Sequence, residues 1–276
     1  MCELFAFSGE HPALLKYSLH EFAAHGAGLR NADGWGIAHC IDGDVRLVKE
    51  AGAARDSACL EFIEGHPVRS DLVMSHIRHA TQGAAAVRNC QPFLRELGGV
   101  MHVFAHNGNL DRVGLARLAP LDAYRPIGET DSELAFCVLL ERLRPLWRAA
   151  AGLPDVESRR RVVAIFAQEL RALGPANFIF ADGDALFAHG HKRMHDGTGI
   201  RPPGLHALCR SCDASVAEVD GPGLRIVPTQ DHDAQWLVAS VPLTTDAAWR
   251  ALGEGELIVV RQGRVLPASE AGTLNA

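Results

Sequence analysis

The spacing of hydrophobic residues along the chain predicts four helices. The first is predicted to end at Gly26, and the third begins with Thr130 and Glu133, which have the three-residue spacing of a capping box. Asp131 is therefore expected at the entrance of a helix. The four predicted helices cover residues 11–25, 55–64, about 130–143 and about 157–173.

Short apolar runs rich in β-branched residues predict strands. Asp42-Gly43 and Asp182-Gly183 each separate two such runs and indicate hairpins. The strands are grouped before and after the helices without βαβ alternation, which is typical of an α+β fold with mainly antiparallel sheets. We predict strands at Trp35–Cys40, Val45–Val48, Asp71–Arg78, Val100–His106, Phe178–Phe180, Leu186–His189, Trp236–Val241 and Leu257–Val260.

The composition is that of an ordinary soluble globular protein, with 47% hydrophobic and 22% charged residues among 276. No linker-like segment divides the sequence, so we expect one domain over residues 1–276. The formal net charge is -6 and the basic residues are scattered, which argues against nucleic acid as a partner. Their densest group, Arg159 to Arg161, is expected to be a solvated helix face.

No apolar stretch approaches the roughly 18 residues of a membrane-spanning helix, and Glu3 interrupts any N-terminal signal peptide. We therefore expect a cytoplasmic protein with no membrane partner, in which the seven cysteines are reduced. The pair Cys209-x-x-Cys212 has histidines nearby in sequence, but a closed zinc site usually shows two well-spaced ligand pairs. We expect neither a metal nor a cofactor.

The first chemically informative feature is Met1-Cys2. Cysteine is small enough at position 2 to allow removal of the initiator methionine, which would leave one residue with both a thiol and a free α-amine. An α-amine has an ordinary pKa of about 7.7 to 8, so near neutral pH it can take the thiol proton and later return one to a leaving group. Because Met-Cys also occurs by chance, this feature gains weight only from other segments.

Three other segments carry groups that suit an amino acid substrate. Arg78 ends a predicted strand, where a loop begins, and could bind a carboxylate in a bidentate pair, although a strand-end arginine is more often in a surface ion pair. Asn107 and Gly108 could form an oxyanion hole, although Asn-Gly is more often only a turn. Asp131 could bind an ammonium group, although its position also suits capping of the following helix.

In their order along the chain, these segments resemble the glutaminase domain of class II glutamine amidotransferases, which are N-terminal nucleophile hydrolases. The resemblance implies a four-layer αββα sandwich of two mainly antiparallel sheets. A later segment, residues 239–244, resembles the stand-alone branch of that family. The motifs that carry the resemblance over residues 2–140 are Met1-Cys2, Arg30-Asn31-Ala32-Asp33-Gly34-Trp35-Gly36, Arg78-His79-Ala80-Thr81-Gln82-Gly83, His106-Asn107-Gly108 and Thr130-Asp131-Ser132-Glu133.

The resemblance also implies roles for residues that match the family's motifs. Cys2 would attack the side-chain amide carbon of glutamine, and Asn107 with Gly108 would stabilise the oxyanion. Arg78 would bind the α-carboxylate and Asp131 the α-amine.

Three further positions match the family less directly. His79 and Thr81 fall on loop positions that line the glutamine, and Arg30 matches an arginine that supports the N-terminal loop. Members that make amino sugars or purines have tryptophan and histidine where this chain has His79 and Gln82, which leaves the details of loop closure open.

Three functions fit these expectations. The first is hydrolysis of glutamine with release of ammonia to a separate partner protein, because the glutaminase-like region occupies nearly all of the sequence. The second is hydrolysis of another γ-glutamyl compound, since Arg78 and Asp131 would recognise the same amino acid end in both. The third is a non-catalytic module that retains the fold, against which the presence of Cys2, Asn107 and Gly108 counts.

Overall fold

The computed structural model describes residues 2–17, 33–195, 197–210, 219–221, 224–230, 233–244 and 248–267. Among the helices in these ranges, none is long and apolar enough to cross a membrane. Their bounds are α1 (Ala58–Gly65), α2 (Arg112–Leu115), α3 (Asp131–Ala149) and α4 (Val156–Leu173).

The strands form two large antiparallel sheets and a small hairpin. Their bounds are β1 (Glu3–Tyr17), β2 (Trp35–Ile41), β3 (Asp44–Glu50), β4 (Arg69–Ile77), β5 (Phe93–Leu97), β6 (Val100–Gly108), β7 (Ala176–Ala181), β8 (Leu186–His189), β9 (Arg193–His195), β10 (Gly199–Arg201), β11 (His206–Arg210), β12 (Val219–Gly221), β13 (Leu224–Val227), β14 (Gln235–Ala239), β15 (Arg250–Ala251), β16 (Leu257–Arg261) and β17 (Arg264–Val265). The nine-stranded sheet has the order β15-β11-β14-β1-β4-β2-β3, with β13 also pairing with β1 and β12 with β13. The six-stranded sheet has the order β17-β16-β8-β7-β6-β5, and β9 pairs with β10.

Three apolar layers hold the two sheets and the helices together. Leu4 and Met74 of the nine-stranded sheet pack between the sheets against residues such as Ile179 of the six-stranded sheet. The outer face of the nine-stranded sheet packs on α1 through Leu60, and the outer face of the six-stranded sheet packs on α3 and α4. Phe136 of α3 also stacks on Phe104 of β6. This order of layers confirms the predicted αββα sandwich.

The predicted helix over residues 11–25 is wrong for residues 11–17. These residues continue β1, which pairs with β4 after a register shift and with β13 on its other side. Main-chain groups that a helix would satisfy internally are satisfied here by neighbouring strands, so tertiary pairing overrides the local periodicity. Residues 18–25 lie outside the described residues. The other predicted helices and strands are confirmed in place and type.

The prediction of a solvated face at Arg159 to Arg161 is wrong for Arg159. Its side chain is 1% exposed and donates to Asp182 at 2.6 Å and to Asp184 at 2.7 Å. These two carboxylates lie in the turn between β7 and β8. The arginine therefore ties α4 to the six-stranded sheet, and a buried cation is tolerated there because both partners are anionic.

Several buried histidines make the fold sensitive to acid. Burial lowers the pKa of His76 to about 3, and burial lowers the pKa of His39 and His189 to about 4, against an ordinary value of 6.5. Neither ring nitrogen of His76 has a hydrogen-bond partner in the described part of the chain. Protonation therefore favours the unfolded chain, so stability is complete above about pH 6.5 and falls as the pH drops below it.

We expect these three histidines to contribute about 4 kcal/mol per pH unit to the fall in the free energy of unfolding between about pH 6 and 5. His76→Gln should reduce this slope by about 1.4 kcal/mol per unit. Urea unfolding at several pH values measures the slope. An unaltered slope in His76→Gln would contradict the expectation.

Candidate active site

Cys2 stands immediately before β1, in the middle of the nine-stranded sheet. β1 pairs there with β4 and β14, and its first residue, Glu3, lies opposite Ile77 at the end of β4. Ser240 holds the same end from the other side, because its hydroxyl accepts from the Leu4 N–H at 2.9 Å and its N–H donates to the Leu4 carbonyl at 3.0 Å. The position of Cys2 is therefore set by two flanking strands.

The Cys2 sulfur lies against the main chain of His79. The His79 N–H donates to Sγ at 3.2 Å, and Sγ donates to the His79 carbonyl at 3.3 Å. Burial raises the pKa of the thiol to about 11, against the opposing effect of the His79 N–H. At that value only about one molecule in ten thousand carries a thiolate at pH 7. The thiol therefore needs a base to act as a nucleophile.

Asn107 and Gly108 reach Cys2 from the six-stranded sheet, at the end of β6. The Asn107 side-chain amide donates to the Cys2 carbonyl at 2.7 Å, which leaves its second N–H for another acceptor. A Cβ on Gly108 would lie 1.8 Å from the Pro175 carbonyl oxygen, so only glycine fits. The two sheets thus bring the thiol, a side-chain amide and a glycine N–H to one edge of the sandwich.

Asp131 is the first residue of α3 and is buried beneath this turn. Its Oδ2 accepts from the Leu110 N–H at 2.7 Å, which ties the helix entrance to the chain that leaves β6. The capping role falls to Thr130, whose hydroxyl accepts from the Glu133 N–H at 3.2 Å. The Asp131 carboxylate is thus available for a role other than helix capping.

The Arg78 guanidinium is buried and encircled by the loop that follows it. Its two terminal nitrogens donate to the carbonyls of Asp33, Gln82, Gly83 and Ala84 at 2.8 to 3.2 Å. In this arrangement Arg78 shapes residues 82–84 around itself. A substrate carboxylate would pair with its remaining N–H or replace one of these carbonyls.

The other predicted positions are placed as follows. His79 is half-buried, with its Nδ1 3.8 Å from Asp33, and Thr81 is exposed at the loop surface. Asp33 also accepts from the Ala80 N–H at 2.8 Å, so it supports the loop that holds the Cys2 sulfur. Arg30 lies outside the described residues. The side chains of Gln82 and Asn109 contact each other and connect this loop to the turn after β6.

The pairing of Glu3 with Arg193 beside the nucleophile was not predicted. Both side chains are buried, and the guanidinium donates to the two carboxylate oxygens at 2.7 and 3.1 Å. Arg193 also donates to the Ser240 carbonyl at 2.8 Å. The two residues are 190 positions apart, so only the acidic residue next to Cys2 could have been noticed in the sequence.

The structure places Cys209 on β11, whereas Cys212 lies outside the described residues. Within the described ranges, no group of three or more histidine, cysteine, aspartate or glutamate residues could hold a metal ion.

Comparisons with known proteins identify the family. A family model described as glutamine amidotransferases class-II matches residues 1–275. The putative glutamine amidotransferase YafJ of Escherichia coli K12 is 32% identical over 257 residues, which cover 93% of this chain and 96% of that protein.

Solved structures show the same likeness. A predicted glutamine amidotransferase from Pseudomonas aeruginosa is 30% identical, with a TM-score of 0.68 and coverage of 96% of this chain and 100% of the other. The glutamine phosphoribosylpyrophosphate amidotransferase of Bacillus subtilis is 16% identical, with a TM-score of 0.58 over 98% of this chain and 50% of that one, and this likeness concerns the fold. On the family match and on these relatives, the chain belongs to the class II glutamine amidotransferases.

Proposed function

We propose that the protein hydrolyses the side-chain amide of glutamine through a thioester on Cys2, after removal of Met1. The observation that carries the proposal is the contact between two sheets at the nucleophile: Asn107 Nδ2 lies 2.7 Å from the Cys2 carbonyl, while the Cys2 sulfur rests on the His79 main chain. A nucleophile and two oxyanion donors within one edge of the sandwich suit acyl transfer.

The α-amine of Cys2 is the proposed base. The thiol has a pKa of about 11, and its two hydrogen bonds in the described residues are to the main chain of His79. An α-amine that titrates near pH 8 can fill this need because it belongs to the same residue.

The proposed reaction has two steps, formation of the thioester and its hydrolysis. The amine takes the thiol proton, sulfur bonds to the amide carbon, and the oxyanion forms against Asn107 and the Gly108 N–H. As the C–N bond breaks, the ammonium returns the proton to nitrogen, and ammonia leaves. Water then adds to the thioester with loss of a proton to the amine, and the C–S bond breaks to give glutamate and the thiol.

Recognition of the amino acid end is assigned to Arg78 for the α-carboxylate and to Asp131 for the α-amine. His79 and Thr81 are assigned to line the bound glutamine, and Arg30, which lies outside the described residues, is assigned a supporting role at the N-terminal loop. Both charged side chains are buried, which would strengthen charge pairing with a bound zwitterion.

The ammonia is proposed to pass to a separate acceptor protein. The described C-terminal half contributes β7, β8, β14 and β16 to the two sheets of the sandwich, so these strands belong to the same fold as the nucleophile. The same observation supports hydrolysis of another γ-glutamyl amide, in which only the leaving group differs.

We expect protein that begins at Cys2 to release ammonia and glutamate from glutamine, and protein that keeps one residue before Cys2 to be at least about a hundredfold slower, because its α-amine is blocked. Intact mass identifies each form, and assays with glutamine and with γ-glutamyl anilides identify the preferred leaving group. Equal melting temperatures would show that both forms fold. Equal turnover by the two forms would remove the α-amine from the mechanism.

A further inference from the structure

The peptide group that joins Asn107 to Gly108 ends β6. A peptide group is planar and trans, so its carbonyl and its N–H point in opposite directions. The Asn107 carbonyl accepts a hydrogen bond from the side-chain amide of Asn177 on β7, with 3.0 Å between nitrogen and oxygen. The Gly108 N–H is therefore directed away from β7.

His106, the residue before Asn107, is held from the other edge of β6, the edge that faces β5. The Gln91 side chain accepts from the His106 N–H at 2.6 Å and donates to the His106 carbonyl at 3.1 Å. Pairing of β5 with β6 begins only at Phe93, because Pro92 has no N–H to extend the ladder. Gln91 replaces the missing strand neighbour, so the main chain is fixed up to His106.

The peptide group between Asn107 and Gly108 lies at the last positions of the pairing of β6 with β7, where Asn107 is opposite Asn177 and Gly108 is opposite Ala176. Glycine is required at position 108 by the nearby Pro175 carbonyl, and glycine also allows its backbone to adopt many conformations. Sterics alone therefore do not determine where the Gly108 N–H points. The hydrogen bond from the Asn177 side chain to the Asn107 carbonyl acts together with the strand pairing to fix this direction.

Asn177 is itself held firmly. It lies opposite Asn107 in the pairing of β6 with β7, and it is fully buried. Its Oδ1 accepts from the His191 N–H at 2.8 Å, and its Nδ2 also donates to the Lys192 carbonyl at 2.8 Å. A Cβ on Gly204 would lie 1.6 Å from Oδ1, so close packing leaves the amide one orientation.

We propose that Asn177 is a positioning residue whose side-chain amide directs the Gly108 N–H toward the oxyanion. The inference rests on the proposed function, in which Gly108 is an oxyanion donor. Asn177 does not touch the substrate and acts through the peptide group of Asn107. Its loss would weaken stabilisation of the tetrahedral intermediate and leave binding of the amino acid end intact.

The test compares Asn177→Ala and Asn177→Asp with the wild type. Both variants lose the donor to the Asn107 carbonyl, and the aspartate keeps the size of the side chain. We expect kcat for glutamine to fall about tenfold or more, with KM changed less than about threefold. Glutamate γ-semialdehyde, to whose carbonyl the Cys2 thiol adds to give a tetrahedral adduct, should bind about tenfold or more weaker, while glutamate binding is retained.

A matched control separates positioning from stability. Ser70 lies at the end of β4 that is far from Cys2, and its hydroxyl donates to the carbonyls of Cys40 on β2 and Leu72 on β4. Ser70→Ala therefore also removes buried hydrogen bonding, and its kcat should equal that of the wild type. An equal loss of aldehyde and glutamate affinity, or an unchanged kcat in both Asn177 variants, would overturn the inference. A wild type without turnover on any γ-glutamyl amide would instead overturn the proposed function. In that case crystal structures of the variants decide the inference, since an unmoved peptide group between Asn107 and Gly108 would contradict it.

Discussion

Replacement of Cys2 by alanine is expected to lower kcat/KM for glutamine by at least about a thousandfold, because Cys2 is the proposed nucleophile and alanine cannot form the thioester. The fold should be retained. The sulfur makes two hydrogen bonds, both to the main chain of His79, and bonds of this kind contribute roughly 1 kcal/mol each. Ammonia release and the melting temperature measure the two effects separately.

A matched cysteine gives the control. Cys59 lies on α1 and is half-buried, as Cys2 is. Cys59→Ala should therefore keep the activity of the wild type. Mass spectrometry of protein quenched during turnover should detect the acyl-enzyme in wild type and Cys59→Ala and not in Cys2→Ala. Turnover by Cys2→Ala at the wild-type rate would exclude Cys2 as the nucleophile.

Asn107→Ala is the second substitution with a large expected effect. Loss of one oxyanion donor lowers kcat by on the order of a hundredfold or more, whereas KM should change far less because the amide acts mainly on the tetrahedral intermediate. Steady-state kinetics with glutamine measure both constants.

Asn109→Ala provides the comparison for this prediction. Asn109 lies two residues further along the same turn, and its side chain contacts Gln82 and not Cys2. Its kcat should stay within about tenfold of the wild type. A loss of kcat that is equal in the two variants would indicate that the whole turn is disturbed and that the Asn107 amide has no separate role.

The sequence predicts those features of the site that depend on neighbouring residues. Hydrophobic spacing and turn residues place Arg78 where a strand leads into a loop, Asn107 at a strand end and Asp131 at a helix entrance, and all three positions are confirmed. These predictions succeed because a strand end or a helix cap is specified by a few consecutive residues. The roles of the three side chains remain proposals.

Other features of the site depend on residues far apart in the chain. The buried pair of Glu3 with Arg193 and the hydrogen bond from Asn177 to Asn107 join residues 190 and 70 positions apart. The sequence predicts Arg159 on a basic surface, whereas the structure places Asp182 and Asp184 beside its guanidinium. Local periodicity does not predict these contacts, because they depend on which strands become neighbours in the folded protein.

By itself the amino-acid sequence determined the fold class, the position of most helices and strands, and a set of candidate groups at Cys2, Arg78, Asn107 and Asp131. Only the tertiary structure decided that β1 extends to Tyr17, that the Arg78 guanidinium is encircled by loop carbonyls, and that the side-chain amide of Asn107 meets Cys2 across two sheets. The physical reason is that hydrogen bonding within an element follows local spacing, whereas the distance between two strand ends follows from the packing of whole sheets.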